Sequence, residues 1–150
     1  MRIAIASGTM RGRELADVLF ADWLAVTEDA SLAIDSPEAW AGVLWRIGVE
    51  TLRLHFLAAL PVSASTALEW GIADSLVPVG EDPVEWVAEW RMGRSEAALD
   101  SAGALIRRRG GDALERAEFA RLFAAGEPQT GLAAFLGKQR PKWREGIKKG

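Results

Sequence analysis

The chain has 150 residues, 49% of them apolar, and a formal net charge of −3; such a length suits one domain with a real core and excludes general disorder. It holds no cysteine and one histidine, His55, which excludes disulfide scaffolds, thiol nucleophiles, cysteine-ligated zinc and iron–sulfur clusters and speaks against a His-based triad. The charge is uneven: residues 138–150 hold six Lys or Arg against one Glu, while the rest is acidic.

Arg2–Ala6 alternates and reads as a strand, and Gly8 and Gly12 punctuate a loop after it. A short helix runs from Arg13, with Leu15, Val18 and Leu19 at helical spacing. Trp23–Val26 and Ser31–Ile34, around the polar corner Thr27-Glu28-Asp29, suit a two-strand β element. Ser36-Pro37-Glu38 starts a helix as cap, first-turn proline and dipole-facing acid; the helix reaches Gly48, and a second amphipathic run covers Val49–Ala58. Ser63 caps a helix to Trp70 with Gly71 as its left-handed exit, and Ile72–Pro78 reads as a strand. Four helices follow, at Pro83–Met92, Ser95–Arg109, Asp112–Ala125 and Pro128–Lys138, with a boundary between the α/β and helical parts near Gly80. No apolar run approaches the roughly 18 residues of a membrane span, and Met1–Gly12 is too short for a signal peptide, so a soluble cytoplasmic protein is expected.

Several segments resemble a known family. PVSASTALEWGIADSLVP (Pro61–Pro78) closely resembles the capped helix, glycine exit and strand of the crotonase superfamily, the enoyl-CoA hydratases and isomerases. RGRELADVLFAD (Arg11–Asp22) aligns without gaps on that family's glycine-rich turn and helix, and TEDASLAID (Thr27–Asp35) follows in the right order. GLAAFLGKQRPKWREG (Gly131–Gly146) is similar to the family's terminal segment. The resemblance spans essentially the whole chain and implies the latter half of a typical member, beginning at an internal strand. The implied fold is α/β, a truncated crotonase-like ββα spiral core over 1–80 followed by a helical oligomerisation region over 81–150.

In catalytic relatives a CoA thioester carbonyl sits between two backbone N–H groups, because preorganised dipoles stabilise the enolate-like oxyanion that develops there. The resemblance assigns one donor to the Arg13 N–H in the Gly12–Arg13 turn; the other comes from an earlier segment. Hydratases also need two glutamates as acid and base. Their positions hold Ala16 and Ser36 here, and a two-residue slip offers Glu38. Glu14 and Asp17 read as acids complementing a helix dipole. Losing members of a cooperating catalytic set costs orders of magnitude in rate. The family's CoA-side role falls on Phe135, Lys138, Lys142 and Trp143, lysines beside aromatics that suit phosphates and an adenine face.

The rest reads structurally. His55 lies in an amphipathic run as a packed or surface residue, the tryptophans suit core or interface packing, and Arg107-Arg108-Arg109 ends a helix favourably. No nucleic-acid, membrane or metal partner is expected, and no tightly bound cofactor; a CoA thioester is the expected ligand. The leading expectation is a crotonase-like subunit in acyl-CoA metabolism without autonomous hydratase activity. It would act as a homo-oligomer, a trimer or multiple, or beside a complementary crotonase-type subunit. Two alternatives stand: a residual isomerase or hydratase using the Gly12–Arg13 turn and Glu38, and a non-enzymatic self-assembling protein.

Overall fold

Residues 1–55, 61–108 and 111–143 are described in this computed structural model, 50–55 by backbone alone. Expectations for the His55 side chain, for residues 56–58 of the second amphipathic run, for Arg109 and for the basic tail beyond 143 fall outside them. The chain divides into two units, Arg2–Trp86 and, with Met1, Val87–Gly150.

The first unit repeats a strand–strand–helix pattern. Strands β1 (Ile3–Ala6) and β2 (Thr9–Arg11) lead into helix α1 (Gly12–Leu19); β3 (Trp23–Val26) and β4 (Ser31–Ala33) lead into α2 (Pro37–His55). β5 (Val62–Ser63), α3 (Ala64–Glu69) and β6 (Ser75–Leu76) complete it. Each repeat sends one strand to each of two sheets, ordered β1-β3-β6 and β2-β4-β5. Ile3 pairs with Trp23 and Thr9 with Ser31, both in parallel, whereas β4 and β5 run antiparallel. Parallel neighbours require helical crossovers, and α1 supplies the first.

The two-strand element expected at residues 23–34 is therefore corrected. β3 and β4 lie in different sheets, because Leu24, Ala25 and Val26 are all buried and β3 takes partners on both edges. The corner between them closes on itself, with the Ala30 N–H donating to the Thr27 carbonyl at 3.0 Å. β2 lies where a loop is expected and β5 where only the Ser63 cap is, both too short to show a period, and the strand expected over Ile72–Pro78 contracts to Ser75–Leu76.

Helix ends follow their sequence signals. Ser36 Oγ accepts the Ala39 N–H at 3.1 Å and Ser63 Oγ accepts that of Thr66 at 3.2 Å, each satisfying a donor that the first turn leaves open. α2 breaks at Gly48, whose φ of 73° is left-handed. Leu15, Leu19, Leu24, Val26, Leu32, Val43 and Ile72, from both sheets and the helices over them, form the core. α1 and α2 touch where Gly42 meets Leu19: a Cβ on Gly42 would stand 2.6 Å from Leu19 Cβ. Trp86 stacks on Trp23, ring centroids 5.9 Å apart.

Helix α4 (Pro83–Met92) carries the division between the units, and the second unit continues with α5 (Glu96–Arg108), α6 (Asp112–Ala124) and α7 (Glu127–Leu136). Ser95 Oγ accepts the Ala98 N–H at 3.1 Å as the α5 cap and donates to Glu127 at the start of α7. Ser101 of α5 donates to Glu118 Oε2 at 2.9 Å and accepts from Arg121 at 2.6 Å, both on α6. Gly126, φ 83°, turns α6 into α7.

Candidate functional site

β2 delivers the chain to α1 through Gly12, where φ is 55° and a side chain would be strained. The space beside it is open, with nothing within 4 Å of a would-be Cβ, so a ligand could approach the backbone closely. Arg11, extended at φ −153°, gives α1 no side-chain cap. The capping acceptor comes from the β4–α2 junction instead: Asp35 Oδ1 accepts the Gly12 N–H at 3.0 Å, and Oδ2 accepts Arg11 Nε at 3.1 Å while ion-pairing with the guanidinium at 2.9 Å. The Gly12 N–H holds the Asp35 carboxyl below its ordinary 3.8, against the opposing push of partial burial and with help from Arg11. An ionised carboxylate thus sits at the turn and occupies one of its donors.

The residues singled out by sequence fall around this turn as follows. Arg13 is exposed in the first turn of α1, and its N–H is the donor next to the one taken by Asp35. Ala16 is 4% exposed and faces the core. Ser36 spends its hydroxyl on capping α2. Glu38 is exposed in the first turn of α2, three residues beyond Asp35. Asp35 and Arg11 were missed, since a pairing across 23 residues leaves no local trace; an acid immediately before the Ser36-Pro37 helix start was the available signal.

Phe135, Lys138, Lys142 and Trp143 belong to the other unit. Phe135 is 79% exposed at the end of α7. Lys138 follows with a left-handed φ of 49°, and Lys142 is exposed. Trp143 alone turns inward, its indole packed so close that a Cβ on Gly131 would lie 3.2 Å from Cη2. Among the described residues no group of three or more His, Asp or Glu is placed to hold a metal ion, and no helix is long and apolar enough to cross a membrane.

No protein-family model matches this sequence, and no curated protein does. Solved structures do match. DspI of Pseudomonas aeruginosa is 26% identical with a TM-score of 0.70, the match covering 95% of this chain and 61% of that one. An enoyl-CoA hydratase/isomerase from Marinobacter aquaeolei is 24% identical with a TM-score of 0.65, covering 95% and 60%. An enoyl-CoA hydratase from Bacillus anthracis is 22% identical with a TM-score of 0.68, covering 93% and 59%. The chain spans about 60% of the length of these structures and shares their fold, that of the crotonase superfamily.

Proposed function

We propose that this chain, whose fold is that of the crotonase superfamily, is a CoA-thioester-binding subunit that assembles with other subunits and does not hydrate enoyl-CoA by itself. The observation that carries the reading is the carboxylate of Asp35 on the Gly12 N–H. A turn serving as an oxyanion hole must aim free donors at developing negative charge, and here one neighbouring donor is spent on a fixed anion. The Arg13 N–H then remains as a single donor, and the reading assigns the second to a neighbouring subunit. The acid and base positions support the same conclusion: Ala16 is a core residue and Ser36 a helix cap, so neither moves a proton.

Assembly is supported by the second unit's surface. Leu132, Phe135 and Leu136 form one exposed apolar stripe along α7, and Phe119 and Phe123 are exposed on α6. Contiguous exposed apolar residues mark interaction surfaces in soluble proteins. Phe135 with Lys138 and Lys142 is the proposed contact for the adenine and phosphates of CoA.

The test is titration of CoA and crotonyl-CoA into the full chain by calorimetry, with light scattering in parallel. The expected result is an oligomer that binds CoA without accelerating hydration, and a Glu38→Gln variant that behaves identically. A monomer that neither binds CoA nor associates with a full-length enoyl-CoA hydratase overturns the reading. Hydration that is present in the wild type and lost in Glu38→Gln favours the residual enzyme.

A further inference from the structure

The two units differ in what they bury. Among the described residues every buried apolar side chain, from Ala6 to Val77, lies in the first unit. In the second unit the buried residues are Ser95, Ser101 and Gly103, and α4, α6 and α7 bury none of theirs. What ties α5 to its neighbours is polar: Ser95 donates to Glu127 on α7, and Ser101 bonds both Glu118 and Arg121 on α6. The large apolar side chains lie outside instead. Phe119 and Phe123 of α6, with ring centroids 6.0 Å apart, and Leu132, Phe135 and Leu136 of α7 are each between 51% and 79% exposed.

Ordering a helix costs conformational entropy at every residue, which burial of apolar surface must offset; hydrogen bonds add little net, because they replace bonds to water. The first unit meets that condition within one chain, and the second does not. With about 200 Å² for each phenylalanine and slightly less for each leucine, the five exposed side chains present roughly 600 Å² of apolar surface. That matches the largest patches on monomeric proteins and supplies most of the about 800 Å² per partner of a stable interface.

The same surface points to its own cover. Residues 128–137 include no charged side chain, so a partner presenting charges to α7 would bury them unpaired. Beside the α7 stripe an open cleft of about 580 Å³ is lined by Ala98, Leu99, Ala102 and Leu122. Its two charged lining residues are engaged within the unit, Arg94 with the Trp90 carbonyl and ring and Glu127 with Ser95. One surface thus carries both apolar projections and an apolar recess, which lets two copies meet through the same face. We propose that the second unit of a single chain does not hold its fold alone and that α6 and α7 of a second copy of this chain supply its missing core, so that folding of this unit and association are one step. The inference rests on the assembly part of the proposed function, whose partner it names, and not on CoA binding.

The full chain is diluted about a hundredfold without CoA, its mass followed by sedimentation and its amides by hydrogen exchange. β1, β3 and α1 are expected to stay protected throughout, because their core lies within one chain. Helices α5, α6 and α7 are expected to exchange about a hundredfold faster in the monomer than in the oligomer. Leu132→Glu and Leu136→Glu replace exposed residues with another good helix former, a change that a self-sufficient helical unit tolerates. Here each is expected to give a monomer at every concentration, with α5, α6 and α7 open and β1, β3 and α1 unchanged; should the wild type never dissociate, these variants decide. A wild type that stays monomeric at the highest concentration, a monomer whose α5, α6 and α7 remain protected, or variants that still associate overturn the inference. So does a monomer in which these helices become protected only when a full-length enoyl-CoA hydratase is added, a result that leaves the proposed function standing. Failure to bind CoA bears on the proposed function and not on this step.

Discussion

The guanidinium of Arg46, 6% exposed, is paired with the carboxylate of Asp74 across 28 residues of sequence. Its Nε donates to the Ile72 carbonyl, and its NH1 donates to the Ala21 carbonyl at 3.0 Å and more loosely to that of Leu19. Asp74 also accepts the Leu24 N–H at 2.7 Å. One side chain of α2 therefore ties together the end of α1, the entry to β3 and the segment before β6. Arginine suits the task because its planar fork donates in several directions while staying charged.

Arg46→Met is expected to destabilise the first unit by about 3 kcal/mol, because it removes the cation beside Asp74 and the side chain that donates to three carbonyl groups. Arg46→Lys should recover only part, having no fork to span them. Chemical denaturation followed by circular dichroism checks this; a loss equal to that of an exposed arginine would show that the joint carries little.

At the α1–α2 contact, Gly42→Ala places a methyl group 2.6 Å from Leu19 Cβ, and that atom is rooted in the backbone and cannot swing away. Overpacking of this kind costs about 1–3 kcal/mol. Leu19→Gly in the same chain, which removes that Cβ, should relieve part of it, so the double variant loses less than the sum of the two single losses. Strict additivity would place the strain elsewhere.

Asp35 makes stability at the turn depend on pH. Its folded pKa lies below 3.8, first through the Gly12 N–H, so its contribution is complete above about pH 4 and is lost as pH falls through the folded value. Melting curves of wild type and Asp35→Asn should therefore converge on acidification and separate at neutral pH. Curves that stay parallel from pH 6 to about pH 2 would remove Asp35 from the account.

Ser63→Ala deletes the acceptor of the Thr66 N–H and should cost about 1 kcal/mol. Ser63→Asp, which keeps an acceptor at the cap and adds a charge favoured by the helix dipole, should restore that loss. Thermal unfolding of the three chains is the measurement.

Much of the fold is legible along the chain because its signals are local. The caps at Ser36 and Ser63 and the left-handed exit at Gly71 are where the turn and period signals put them. Short strands are not, since Thr9–Arg11 and Val62–Ser63 carry too few residues for a period of two to show. The segment around Gly12 singles out the turn, and the family resemblance supplies Arg13, Ala16, Ser36 and Glu38, whereas the contact of Asp35 with Gly12 comes from the folded chain alone.

The sequence by itself determined the order of helices, their ends and the absence of thiol chemistry, because propensity, capping and composition act over a few residues; the likeness of fold came from the resemblance of segments such as residues 61–78 to a known family. Only the tertiary structure decided that β3 and β4 part into separate sheets, that Arg46 finds Asp74, that Asp35 closes on Gly12 and that Trp143 turns into an apolar cavity. Each of these depends on which groups distant in sequence meet in space, where strand pairing, charge and packing must be satisfied together.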